Sequence, residues 1–425
     1  MSAQRLQAVR GMNDVLPKEA ELRLWLEDVL ERWFARYGYR PIRTPLLEHT
    51  GLFRRAIGEA TDIVEKEMYT FTDALNEESL TLRPEATAST VRAAIEHSLL
   101  HDGPKRLWYL GPMYRHERPQ KGRYREFHQF GAEALGFEGP EVDAELIAMC
   151  AALWKELGLE GIRLELNTIG SSAERAAYRA DLVRYLEANE ARLDADARRR
   201  LHSNPLRILD SKNPMVQEVV AKAPAMAQYL GEDSRGHFAT VQRLLRGLGI
   251  AFELNPRLVR GLDYYNLTVF EWITDRLGAQ GTVCGGGRYD GLFEQLGGKP
   301  APGVGFAAGV ERLAALLRDA ARQPARGVPD AYLLYQGEGT MESAFVLGEE
   351  LRAAGFAVVL HAGGGGFKAQ MKRADASGAA LALIVGENEL ACAAVTVKPL
   401  RAARPQQQVP RPALVARLRE LVREL

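Results

Sequence analysis

Residues 107–130 read LWYLGPMYRHERPQKGRYREFHQF. The two ends, LWYL at 107–110 and FHQF at 127–130, are short apolar and aromatic runs that read as strands. Gly111, Pro112, Pro119 and Gly122 shape the polar segment 115–125 into a turn. That turn carries Arg115, Arg118, Lys121, Arg123 and Arg125 against a single acid, Glu117. One reading is a solvated basic hairpin. The other is a hairpin that grips polyphosphate and nucleic acid, for which arginine is suited by a planar fork that stays charged at any working pH.

On the N-terminal side, Leu22, Leu26, Val29, Leu30, Trp33, Phe34 and Tyr37 fall at helical spacing, with Pro17 ahead of them and Gly38 behind. YRPIRTPLLE follows, where Pro41 and Pro45 favour extended chain at a sheet edge. On the C-terminal side, the pattern predicts a helix over 142–157 and a half-buried strand through Ile162, Leu164 and Leu166. Residues 172–248 are rich in Ala, Arg and acids, mostly helical in pattern, and hold none of the motifs below; they read as an inserted helical subdomain. Strands return at 251–254 and 267–273, and a helix opens near Gly309. ARQPARGVPD, residues 321–330, reads as a linker. Beyond it AYLLY, FAVVL and ALALIV alternate with helical stretches, which implies a small α/β domain.

With 425 residues, two or three domains are expected. The 55 Lys+Arg balance 55 Asp+Glu, which excludes a uniformly basic coat and a polyacidic disordered chain but not local basic patches. The 3 cysteines, Cys150, Cys284 and Cys392, are widely spaced and suggest no disulfide framework. The first residues lack the apolar core of a signal peptide and no 18-residue apolar run occurs, so a cytoplasmic protein is expected.

Familiar nucleotide and hydrolase signatures fail on inspection. In GVGFAAG (303–309) the last glycine comes one residue too late for a dinucleotide fingerprint, and no GxxxxGK[ST] is present. Glycines 363–366 read as a flexible loop, HERPQ lacks the second His of HExxH, and GxSxG is absent. LTLRPEATAS (80–89) sets Glu85 and Thr87 after a proline; a helix start with a capping Thr explains it as well as a site does. RGLDYYN (260–266) joins a fixed charge to Asp263 and paired tyrosines, which suggests a polar pocket. CGGGRYDGL (284–292) allows close backbone approach and leaves room for a ligand beside Tyr289. Cys284 reads as a packed small hydrophobe.

Taken in order, these segments resemble the bacterial histidyl-tRNA synthetase family of class II aminoacyl-tRNA synthetases. TLRPEAT, YRHERPQKGRYREFHQ, LVRGLDYY and GGGRYDGL carry the resemblance, with GYRPIRTPLLE and GVGFAAGVERL similar to the family's first and third class motifs; it runs from AVRGMNDVLP into the last domain. The fold it implies is α+β: a six- or seven-stranded antiparallel sheet flanked by helices, with the helical insertion near 172–248 in a catalytic core over 1–325. A C-terminal α/β anticodon-binding domain would occupy 330–425.

The implied reaction joins L-histidine to ATP as histidyl-adenylate, then transfers histidine to the terminal adenosine of histidine tRNA. The resemblance makes Arg115 and Arg260 the catalytic arginines around the α-phosphate, Arg260 acting where other class II enzymes use magnesium, with Mg²⁺ still expected on the ATP phosphates. Glu85, Thr87, Gln129, Glu133, Tyr264, Tyr265 and Tyr289, with Arg115 and Arg260, would bind histidine. Arg115, Glu117, Arg123, Phe127 and Arg312 would bind ATP, Phe127 and Arg312 enclosing the adenine. Arg118 and Gln120 would read the extra guanosine of the acceptor stem, and no protein metal ligand is assigned. A homodimer with Pro45 near its interface is implied, and no membrane partner. Two rivals share the resemblance: a regulatory paralogue of a histidine-biosynthetic phosphoribosyltransferase and a tRNA-independent histidine-activating enzyme. The intact hairpin and the last domain argue against both.

Overall fold

The computed structural model describes residues 5–120, 122–278, 281–321 and 327–424. Lys121 of the basic turn, residues 322–326 of the expected linker and Leu425 lie outside the described residues. Two compact units are present, Met1–Pro324 and Ala325–Leu425.

The first unit is built on an eight-stranded sheet. Across it run Arg40–Pro41, Lys105–Tyr114, Glu126–Leu135, Gly303–Gly309, Thr282–Arg288, Asn266–Ile273, Arg163–Thr168 and Glu253–Leu254. The six inner strands are antiparallel throughout. The sheet exceeds the expected six or seven strands because two-residue strands add in parallel at each edge. Pro41 sits on one of those edges, where its missing N–H leaves no ladder bond unmade.

Period-two alternation decides which face is buried. Phe130, Ala132 and Ala134, with Phe270, Trp272 and Phe306, turn to a core capped by the helices Pro17–Arg36, Pro140–Glu156, Glu232–Gly247 and Val310–Asp319. Pro17–Arg36 buries the predicted stripe of Leu22, Leu26, Val29, Leu30, Trp33 and Phe34. Cys150 and Cys284, far apart in sequence, meet in this core as free thiols with sulfurs 3.7 Å apart. A fully buried Arg288 ties the sheet to the helix Pro140–Glu156 through Asp143, whose other neighbour is His237 at 3.4 Å.

The insertion departs from its expected extent. Its own core, from Tyr178 to Leu230 with Val259, is formed by the helices Ser172–Ala188, Ala195–Ser203 and Pro214–Val220. Glu232–Gly247 instead packs Val241 and Leu245 into the main core against Pro140–Glu156. Ser171 and Glu174 form a capping box at the insertion's first helix.

In the second unit, AYLLY, FAVVL and ALALIV supply the three parallel strands Ala331–Gln336, Val358–Leu360 and Leu381–Gly386. Two further strands unmarked in the sequence reading, Ala394–Pro399 and Gln407–Pro410, extend the sheet antiparallel. Among the described residues, no helix is long and apolar enough to cross a membrane.

Candidate active site

The sheet face opposite the helix-covered core forms the floor of a cavity of about 620 Å³. Tyr109, Phe127, Gln129 and Glu271 reach it from three strands because they occupy the alternate positions to the apolar residues of the other face. Glu85, Thr87, Arg115, Glu117, Arg123, Arg260, Tyr264, Tyr265 and Arg312 complete the predicted residues that line it.

At one end the cavity is built for a small polar group. Glu85 accepts from the backbone N–H of Thr87 and Ala88 at 2.7 and 2.9 Å, so the helix Thr87–Glu96 holds its carboxylate in place. Burial pushes the Glu85 carboxyl above its ordinary value, against those donors. Thr87 Oγ1 donates to Glu133 at 2.7 Å, Tyr109 Oη at 3.3 Å, and Tyr289 Oη donates from the other side. Glu133 is wholly buried, and burial pushes its pKa up to about 8. Neither Glu133 nor Tyr289 lines the cavity; Glu133 touches the lining residues Thr87 and Tyr109, and Tyr289 stands behind Glu133. Tyr264 and Tyr265 form the facing wall, their rings 4.6 Å apart.

At the other end four arginines converge: Arg115, Arg123, Arg260 and Arg312. Arg115 Nε donates to Pro84 O at 2.9 Å while its guanidinium lies 5.4 Å from the Phe127 ring centre. Arg123 Nε stands 2.8 Å from the Glu117 carboxylate. Arg312 donates to two carbonyls, Gly122 O at 3.2 Å and Thr282 O; burial and the nearby Arg123 lower its pKa. Arg260 pairs with Glu271, which also accepts from Thr282 Oγ1 at 2.9 Å. Arg115 and Arg312 are held by carbonyls and not by carboxylates, so their guanidinium charge stands ready for an anion with several oxygens. Gln129 Oε1 is buried with no hydrogen-bond partner among the described residues.

Arg118 and Gln120 are not part of this cavity. Both are exposed at the tip of the 115–125 turn, where Gln120 and Arg123 pair through their backbones at 3.0 and 2.9 Å. The glycines of CGGGRYDGL also differ from expectation. Gly285, Gly286 and Gly287 lie inside the strand Thr282–Arg288, and protein occupies the space that a Cβ on each would take. A Cβ on Gly285 would meet the Arg260 guanidinium at 2.5 Å, and one on Gly287 the Thr268 carbonyl at 2.5 Å. Tyr289 is 1% exposed, so the room once expected beside it is taken up.

Sequence reasoning missed Glu271 and the insertion's contribution. Glu271 stands between Phe270 and Trp272, and a lone carboxylate in an apolar strand was its available signal. Arg200, Asn204, Arg207, Asp210 and Lys212 of the insertion also line the cavity, with no local pattern to announce them.

A six-stranded antiparallel core whose exposed face sets arginines beside a carboxylate–tyrosine pocket is the class II aminoacyl-tRNA synthetase fold. The histidyl-tRNA synthetase family model matches residues 11–313 and an anticodon binding domain model matches 330–421. Histidine--tRNA ligase of Aromatoleum aromaticum is 62% identical over 406 residues, covering 96% of this chain and 93% of that protein. The Thiobacillus denitrificans protein of the same name is 62% identical over 407 residues, 96% of this chain and 97% of its own. The crystal structure of apo S. aureus histidyl-tRNA synthetase superposes with a TM-score of 0.83 at 34% identity, covering 97% of this chain and 100% of that one. The chain belongs to the histidyl-tRNA synthetase family, whose members are ligases.

Proposed function

We propose that this chain activates L-histidine with ATP and charges histidine tRNA. The observation that carries the reading is the convergence of the 260–265 tyrosines and Arg260 with the hairpin arginines on one cavity. A histidine carboxylate oxygen attacks the α-phosphorus, and the bond to the β-phosphate bridging oxygen breaks, releasing pyrophosphate. The 3′-hydroxyl of the terminal adenosine then attacks the histidyl carbonyl and AMP leaves.

Charge grows around the α-phosphate as the carboxylate approaches, and Arg115 and Arg260 stand ready to stabilise it. Glu85, Thr87 and Gln129 hold the amino acid's amino and carboxylate groups. Tyr264, Tyr265 and the Glu133–Tyr289 pair behind Thr87 distinguish an imidazole from isosteres lacking its nitrogens. Phe127 and Arg312 enclose the adenine, with Glu117 and Arg123 on base and phosphates. Mg²⁺ carried on the substrate's phosphates would neutralise part of their charge; no protein ligand is assigned to it.

Arg118 and Gln120, exposed at the hairpin tip, suit an acceptor-stem contact; the insertion would clamp that stem and residues 330–425 would read the anticodon. Leu46, Leu47 and Phe71 are exposed on or next to the three-stranded sheet of Leu47–His49, Ser79–Leu82 and Tyr69–Thr72, which supports a homodimer surface near Pro45. The cytoplasm is the expected compartment. In the test, histidine and ATP alone should support pyrophosphate exchange, and adding histidine tRNA should yield histidyl-tRNA. Exchange without any transfer would favour a free-standing activator, and neither would remove the catalytic reading.

A further inference from the structure

The loop 260–265 has no regular secondary structure of its own, yet it carries Arg260, Tyr264 and Tyr265. Its centre, Asp263, is held from two sides. Asp263 N–H donates to Ile57 O at 3.0 Å, and Gly58, at φ +98°, leaves room for the carboxylate; a Cβ there would lie 2.5 Å from Oδ2. On the other side the insertion's Asn204, 7% exposed, donates through Nδ2 to Asp263 Oδ1 at 3.1 Å. The insertion meets the same loop twice more. Arg175 donates to the carbonyl of Tyr265, and the Arg207 guanidinium packs 4.0 Å from the position of a Gly261 Cβ. Arg200 meanwhile pairs with Asp62 at 2.9 Å, on the segment that also borders the cavity.

We infer that Asn204 is a positioning residue for the first half-reaction: its hydrogen bond to Asp263 sets the 260–265 loop, so the insertion shapes the histidine pocket before any tRNA is present. The inference rests on the proposed reading of that loop as histidine-binding. Asp263 sits among Arg175, Arg179 and Arg207, but Asn204 is the side chain that fixes one of its oxygens by direct hydrogen bond among the described residues. A buried carboxylate that loses such a donor turns to other partners and takes the loop with it.

The test is pyrophosphate exchange by the full chain without tRNA, with KM for histidine and kcat read separately. Asn204→Asp sets two carboxylates against each other and should raise the histidine KM roughly tenfold or more; Asn204→Ala, which adds no charge, should raise it about three- to fivefold. Combining Asn204→Asp with Asp263→Asn restores the bond with donor and acceptor exchanged and should return KM to within about threefold of the parent. Arg192→Ala, which breaks the insertion's exposed pair with Glu218 at 2.7 Å, should leave KM unchanged. An unaltered KM in Asn204→Ala, a double variant no better than the sum of its parts, or an equal rise in Arg192→Ala would each overturn the inference. Absence of exchange in the unsubstituted protein would instead overturn the parent reading, and this one with it.

Discussion

Burial leaves Glu133 protonated across a pH range in which an exposed carboxylate is ionised, and its three hydroxyl neighbours hold it against the pocket wall. Its ordinary value of 4.5 applies to the unfolded chain, while the folded value is about 8. Between those values the folded state binds the extra proton, so this group's contribution to stability is full below 4.5 and declines as pH rises through 8. Glu133→Gln removes that dependence. Thermal unfolding of the two proteins at pH 6 and pH 9 should show the variant's Tm gaining on the parent at the higher pH; a constant gap would contradict the assignment. The same variant should bind histidine more weakly, since an amide NH2 cannot accept the hydroxyl hydrogen bonds by which Glu133 holds Thr87 and Tyr109 at the cavity wall. At the phosphate end, Arg260 is aimed by Glu271 and given space by Gly285. Arg260→Ala should lower kcat for exchange about 100-fold or more while the histidine KM stays within about threefold, because its charge matters most as the α-phosphate accepts the incoming oxygen. Matched losses in both would place the arginine in ground-state binding.

Among elements, the paired strands Thr282–Arg288 and Gly303–Gly309 bring the glycines of the two motifs side by side. Their glycines let side chains from other elements lie flat against the sheet. A Cβ on Gly305 would fall 1.8 Å from Glu133 Oε2 and 2.6 Å from the Ala132 carbonyl, and one on Gly303 would meet the Tyr289 ring at 2.3 Å. Gly305→Ala should therefore cost about 1–3 kcal/mol or more and displace Glu133. Thermal unfolding with a histidine titration checks it: unchanged Tm and unchanged affinity would show that the strand tolerates the methyl. The helices and strands around these elements were legible because their apolar residues keep a period of 3.6 or 2, as in Leu22–Leu26–Leu30 and Ile162–Leu164–Leu166. The end of the insertion was not, because Glu232–Gly247 shares the helical pattern of its predecessors and only packing assigns it to the main core.

At the scale of the whole molecule, a chain with 55 basic and 55 acidic residues concentrates arginine where phosphate is expected. In the second unit, ion pairs offset basic charge: Arg401 pairs with Asp375 at 2.9 Å and Arg411 with Glu350 at 3.0 Å, acids distant in the chain. Local motifs made the cavity's predicted residues legible one segment at a time. Glu271, Asn204 and Arg207 were hidden because their meaning depends on contacts with other elements of the fold. The same long-range assembly makes the amino-acid dependence of ATP–pyrophosphate exchange the direct measurement of the central claim. With each of the twenty amino acids offered singly to the unsubstituted protein, histidine alone should support exchange at a substantial rate. Equal or greater exchange with another amino acid, or none with histidine, would contradict the account.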